Sequence, residues 1–177
     1  MVKKIILYFT YLLFFILALA YFIPKSSVYY LLEQKLEKHA VILSSEKIKD
    51  TGLALELEDA KISFRSVHSV NVDKTTLKIF VLYNSISLNG VSLSCAAKSL
   101  VPLHIENVQM VYSIFNPLDV NAHAVGEFGE LEAKFNIFEN TLHLELKPSE
   151  IMLHEYKSTM KNLIKTKNGE FIYDKTF

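Results

Sequence analysis

The chain has 177 residues, and its 19 basic and 19 acidic side chains cancel to a formal charge of zero, so no global field gathers nucleic acid or an anionic substrate. A single cysteine, Cys95, excludes an intramolecular disulfide and a cysteine-based zinc ring. The length suits one domain with a substantial core and argues against a second.

The first element is an uncharged run from Ile5 to Ile23, long enough to cross a bilayer core as a helix. Lys3 and Lys4 precede it, and a short basic tail stays on the cytoplasmic side, which places the rest of the chain across the membrane. A cleavable signal peptide is the rival reading, because Ala18, Leu19 and Ala20 form a small-x-small triplet. The apolar run continues through Tyr21, Phe22 and Ile23, which favours retention, and Tyr8, Tyr11, Tyr21 and Phe22 suit interfacial anchoring. Residues 1–25 are thus expected to be a cytoplasmic tail and transmembrane anchor, and residues 26–177 a single β-rich domain.

Ser27 is placed to cap an amphipathic helix over Ser27–His39 with Val28, Leu31, Leu32 and Leu36 on one face. Its polar side mixes both charge signs, so a berth on a sheet is favoured over the membrane interface. From Val41 the period changes to two, the mark of strands with one buried face. The alternation predicts turns at Tyr83-Asn84, Asn116-Pro117, Gly126 to Gly129 and Glu139-Asn140, and a bend or bulge at Asn89-Gly90. Nine or ten short strands joined by tight turns imply an antiparallel meander. Pro148 ends it, Ser149 is expected to cap a helix reaching Lys165, and Asn168-Gly169 turns into a last strand, Glu170–Tyr173. The fold class is α+β, mainly β, with helices before and after a curved sheet.

No Gly-rich phosphate loop, serine elbow or histidine pair at helical metal spacing occurs in the sequence. His104, His123 and His143 fall on polar alternates of strands; hairpins centred on the expected turns set His123 opposite Met110 and Lys134 and His143 opposite Asn136, leaving them too far apart for one ion. The groups Glu56, Glu58, Asp59 and Glu127, Glu130, Glu132 read as solvated surface. Cys95 is expected to be buried, packing as a small hydrophobe. No enzyme activity, cofactor or metal is therefore expected. Lys157, Lys161 and Lys165 form a basic row on the last helix, a candidate contact for lipid headgroups or an acidic partner.

One feature exceeds an ordinary domain: there is more one-sided apolar strand than two short helices can cover, so the sheet must curl, meet a partner or hold apolar ligands. The expected groove residues are Leu55, Leu57, Ile62, Phe64, Ile79 and Val81 in the first strands. Leu88, Met110, Tyr112, Val120, Phe135 and Leu144 continue it. The order of a basic tail, a spanning helix, the helix YYLLEQKLEKH, then GLALELEDAKISF and a long meander resembles the N-terminal module of the type II secretion protein N family and, more distantly, the AsmA-like and bridge-like lipid-transfer proteins. That resemblance implies a single-pass protein of the bacterial inner membrane with a periplasmic curved sheet, apolar on its concave face. Two functions follow as expectations: a non-enzymatic protein assembling with envelope or secretion components, and a lipid-binding or lipid-transfer module holding acyl chains on the sheet.

Overall fold

The computed structural model describes the backbone of every residue except Met1, Ile23, His39, Ser45, Glu46, Arg65, Ser66 and Val81, and among these the side chains of all but Ala20, Phe64, Val67, His68, Ser69 and Ala96. Helix α1 spans Val2–Phe22. It is long and apolar enough to cross a membrane, and none of its most apolar stretch, Val2–Leu19, is buried against the rest of the protein. Pro24, which precedes helix α2 (Lys25–Glu37), separates the two. Proline suits that place because it has no N–H to leave unpaired at a helix start.

Helix α2 begins earlier than the capping pattern predicts, and Ser27 makes no side-chain cap. Its first residue is the reason. The Lys25 ammonium is fully buried and donates to the Gly52 carbonyl, so the inward face runs through Lys25, Tyr29 and Leu32. Leu31, expected on that face, is 58% exposed against 39% for Leu32, and of the two only Leu32 lines the space beneath the helix.

The strands form one open antiparallel sheet. β1 (Val41–Ser44) and β2 (Lys47–Asp50) share one edge of β3 (Leu55–Phe64), and then follow β4 (Val67–Ile79), β5 (Tyr83–Leu93), β6 (His104–Ser113), β7 (Asn116–Gly126), β8 (Gly129–Asn136) and β9 (Thr141–Pro148). β11 (Phe171–Thr176) pairs with β9, and the two-residue β10 (Ile164–Lys165) ends the order. The first and last strands do not meet, so the sheet is curved but not a barrel. The Gly126 to Gly129 turn lies where the alternation sets it, and Gly90 adopts φ 63° within β5.

Two expected turns move. Tyr83 and Asn84 open β5 instead of forming a turn, and the Phe80 N–H, just past the end of β4, donates to the Tyr83 carbonyl at 3.1 Å and to Asn84 Oδ1 at 3.1 Å. The next near reversal is Ile114-Phe115, and Pro117 lies inside β7. It is accommodated because Ser113 pairs with Asn116 and Tyr112 with Val120, leaving residues 117–119 bulged out of the β6 ladder, where a missing N–H costs nothing. The moved β6–β7 tip sets His123 opposite Gln109, not Met110; across the β7–β8 and β8–β9 turns the ladder sets His123 opposite Glu132, not Lys134, and His143 opposite Lys134, not Asn136.

Cross-strand partners share a face. The row Leu55, Leu77, Ile86, Met110, Ala122, Ala133, Leu144, Tyr173 and the row Leu57, Thr75, Leu88, Val108, Ala124, Leu131, Leu146, Phe171 therefore define one apolar floor. Beyond the second row β3 to β6 each carry one extra residue at the same level: Asp59, Asp73, Gly90 and Glu106 sit abreast between paired neighbours, and a bulge against β7 absorbs the step. Asp59 and Gly90 take positive φ there. The extra residue reverses the alternation, which returns Ala60, Val72, Val91 and Ile105 to the floor side.

Helices cover only parts of this floor. α2 lies over the β3–β4 end, where Tyr29, Leu55, Leu57 and Leu77 form a small core. At the opposite end of the sheet, α3 (Glu150–Glu155) and α4 (Lys157–Met160) bring Met152 and Met160 onto Ala124, Phe128, Leu146 and Phe171. Ser149 caps α3 as expected, its hydroxyl accepting from the Met152 N–H at 3.2 Å. The single helix expected to reach Lys165 is instead two, broken at Tyr156 (φ −111°, ψ 36°), the second ending at Met160. Cys95, expected to be buried, is exposed; it opens a single 3₁₀ turn, Cys95–Ala97, in the β5–β6 connection.

Candidate functional site

The residues that face inward from α2 and from β3 to β7 enclose an apolar trough. One part, of ≈ 430 Å³, is lined by Val28, Tyr29 and Leu32 of α2 above and by Leu77, Ile79, Ile86, Met110, Tyr112 and Val120 below. A second, of ≈ 190 Å³, continues under α2 between Leu43, Leu57, Ala60, Ile62, Val72 and Leu88. Tyr29, Leu32, Leu77, Ile86 and Met110 line both, so the two adjoin, with Met110 between them. The larger lies in the range of small-ligand sites, roughly 300–1,000 Å³, and such sites carry mostly apolar linings with few polar groups. Burial raises the Tyr29 phenol above its usual pKa, and the nearby Glu33 charge adds to this, so Tyr29 presents a neutral roof.

Of the groove residues expected from alternation, Leu57, Ile62, Ile79, Leu88, Met110, Tyr112 and Val120 line this space, and Leu55 is fully buried beneath α2. Phe135 and Leu144 extend the same floor beyond α2; Phe135 meets the Phe177 ring edge-on at 6.5 Å, and Leu144 lies with Leu163 and Tyr173 in a separate depression. The backbone of Phe64 pairs with Val41 and Val67, but its side chain, like the whole of Val81, lies outside the described residues. The roof residues Val28, Tyr29 and Leu32 are absent from the sequence-derived groove. Their signal is the i, i+4 spacing of Val28 and Leu32. Lys157, Lys161 and Lys165 are exposed, yet they share no helix face: the first begins α4, the second follows it and the third lies in β10.

The opposite face of the sheet is polar. There Asp119, only 7% exposed, closes the β7 bulge by accepting from Lys134 Nζ at 2.9 Å, Asn116 Nδ2 at 2.9 Å and Asn136 Nδ2 at 3.0 Å. The Lys134 hydrogen bond, then that of Asn116, holds its carboxyl below the usual carboxylate range. His123 Nε2 lies 3.3 Å from Glu130 and His143 Nδ1 2.6 Å from Asp174. Glu170 is raised above its ordinary range, first by a hydrogen bond shared with Glu145, then by desolvation. Among the described residues, no three His, Cys, Asp or Glu side chains converge on a point where a metal ion could sit. Gln109, His123, Glu132, Lys134, His143 and Glu145 of this face also line a hollow of ≈ 370 Å³, and His123 Nδ1 is buried without a hydrogen-bond partner among the described residues; of the two places, the trough has the more apolar lining. No protein-family model, curated protein or solved structure matches the chain.

Proposed function

We propose that this chain is a non-enzymatic, membrane-anchored lipid-handling protein of the bacterial envelope. In this reading α1 holds it in the inner membrane as a single-pass anchor and the sheet lies in the periplasm, with the trough sheltering acyl chains as the AsmA-like resemblance implies. The observation that carries it is a continuous apolar floor left open between two helical covers. An acyl chain laid on it removes apolar surface from water on both partners, worth about 0.8 kcal/mol for each methylene buried.

The assembly reading, in which envelope or secretion components pack on the sheet, draws its support from the two unpaired sheet edges, since an edge is a template for another strand. Those edges are short, however: β1 and β2 have 4 residues each and β10 has 2, and short edges are the usual device against strand addition. Lipid is therefore the favoured occupant.

The test uses the full chain in vesicles containing a phospholipid with a photoactivatable acyl chain. Cross-links mapped by mass spectrometry to Ile86, Met110, Tyr112 or Val120 support acyl occupancy of the trough. Cross-links confined to α1 remove the reading.

A further inference from the structure

The turns at one end of the sheet carry side chains that turns ordinarily avoid. Reversals favour Gly, Pro, Asn, Asp and Ser, yet Ile114-Phe115 and Ile137-Phe138 form the β6–β7 and β8–β9 tips, with Phe115 82% and Phe138 81% exposed. Each tip is built in the same way. Ser113 Oγ accepts from the Phe115 N–H at 3.3 Å, and Asn136 Oδ1 accepts from the Phe138 and Glu139 N–H groups at 3.0 and 2.9 Å. The polar residue satisfies the turn from inside and the aromatic ring is left outside.

The tips are also joined to one another. The Ile114 N–H donates to the Leu82 carbonyl at 3.2 Å, the Ile137 N–H to the Leu118 carbonyl at 2.7 Å, and the Phe177 N–H to the Asn140 carbonyl at 3.0 Å. Leu82, Leu118 and Phe177 are themselves exposed, so the end of the sheet from β4 to β11 carries a series of exposed apolar side chains, interrupted by Asn116, Glu139, Asn140 and Lys175. The opposite end differs: its β7–β8 tip also carries a phenylalanine, but Phe128 is packed against Met152 and is 8% exposed. Leu100, Ile151 and Leu153 are exposed at that opposite end too, but among the described residues the exposed phenylalanine tips, Phe115 and Phe138, belong to the first end.

That end is where α1 leaves the domain. The β2–β3 turn there holds Gly52, whose carbonyl accepts from Lys25 and whose Cα lies under the Tyr21 ring, so closely that a Cβ would stand 2.5 Å from it. Leu53 in the same turn is exposed. A bilayer entered by α1 thus lies on the side to which the Ile, Leu and Phe tips point, and aromatic and aliphatic side chains are what the interfacial zone accepts.

We infer that the hairpin-tip rim is a lipid-docking surface that inserts into the outer leaflet boundary of the same bilayer α1 enters. Docking stands the strands on the membrane, with Ile79, Tyr112 and Val120 the trough-floor residues nearest it. This rests on α1 being the anchor, and is independent of whether an acyl chain occupies the trough.

The chain contains no tryptophan, so single substitutions report cleanly. The full chain carrying F115W, F138W or L100W is reconstituted in phosphatidylcholine vesicles with and without brominated acyl chains; Leu100 is an exposed residue of the opposite end. Docking predicts that brominated lipid lowers F115W and F138W emission about twofold or more while L100W is unchanged. Equal responses at all three sites overturn the inference. So does blue-shifted but unquenched emission at the tips, which would mean that protein, such as a second copy, covers them. Matching circular dichroism spectra guard against misfolding, and the two tips give independent readings. Trough cross-linking is scored separately, so either result can fail without the other.

Discussion

Met110 sits where the two parts of the trough adjoin, which makes M110K a sharp test of acyl binding. In the empty trough the new ammonium reaches water along the open side, because a lysine stem can lie on apolar surface with its head solvated; the fold then loses only methionine contacts, about 1 kcal/mol. An acyl chain in the trough shuts that water out. Desolvating an ion costs several kcal/mol, and with part of this relieved by displacement of the head group, about 3 kcal/mol remains against binding. At about 1.4 kcal/mol for each factor of ten, affinity falls about 100-fold. Photo-cross-linking at sub-saturating probe follows occupancy, so the yield into β6 and β7 should fall to background, whereas M110L, nearly equal in volume, costs under about 1.5 kcal/mol and keeps its yield. Undiminished cross-linking in a folded M110K protein would refute the reasoning.

Asp119 has a depressed folded pKa, so its stabilisation is present above the unfolded value of about 3.9 and is lost as pH falls through the folded one; thermal melts of D119N should lack the part of the acid decline that this group supplies, and an acid limb identical to the parent's would contradict the assignment. Glu170 has the opposite sign: its raised pKa means that the stabilising protonated form is complete below about 4.3 and lost as pH rises through the folded value. E170Q should therefore melt higher than the parent at pH 7, with the gap closing in acid; a lower melting temperature at pH 7 counts against a strained Glu145–Glu170 contact. Gly90 holds φ 63° with the Asp73 carboxylate where a Cβ would be, so G90A should cost about 1–3 kcal/mol in denaturant unfolding. The cost should shrink in a D73A background, and full additivity of the two changes would show that the carboxylate is not what obstructs.

The floor of the sheet was legible because alternation is local: Ile86 and Leu88 in the trough, and Leu131 to Phe135 and Leu142 to Leu146 beyond it, declare their inward face without reference to the rest of the chain. The roof was not. Which side of α2 meets the sheet depends on the bond from Lys25 to Gly52, 27 positions away, and helical periodicity alone ranks Leu31 with Leu32. Turn chemistry misled at Asn116-Pro117, since Asn-Pro ordinarily starts a reversal, whereas here the proline occupies a bulge pinned by Asp119. The true tip, Ile114-Phe115, reads as strand because its apolar character serves the surface outside the fold and not the core. The change of inward positions between Leu57 and Ile62 is visible in the sequence, but its cause is a shared backbone step across four strands that no single-strand pattern contains.

That shared step ties the lengths of β3, β4, β5 and β6 together. Removing Gly90 by itself would restore a plain pleat in β5 while its neighbours kept theirs interrupted, and either Ile86 and Leu88 or Val91 and Leu93 would swing out to solvent. A tolerated deletion must take Asp59, Asp73, Gly90 and Glu106 as a set, whereas β7 to β9, which carry no counterpart, are free to vary one hairpin at a time.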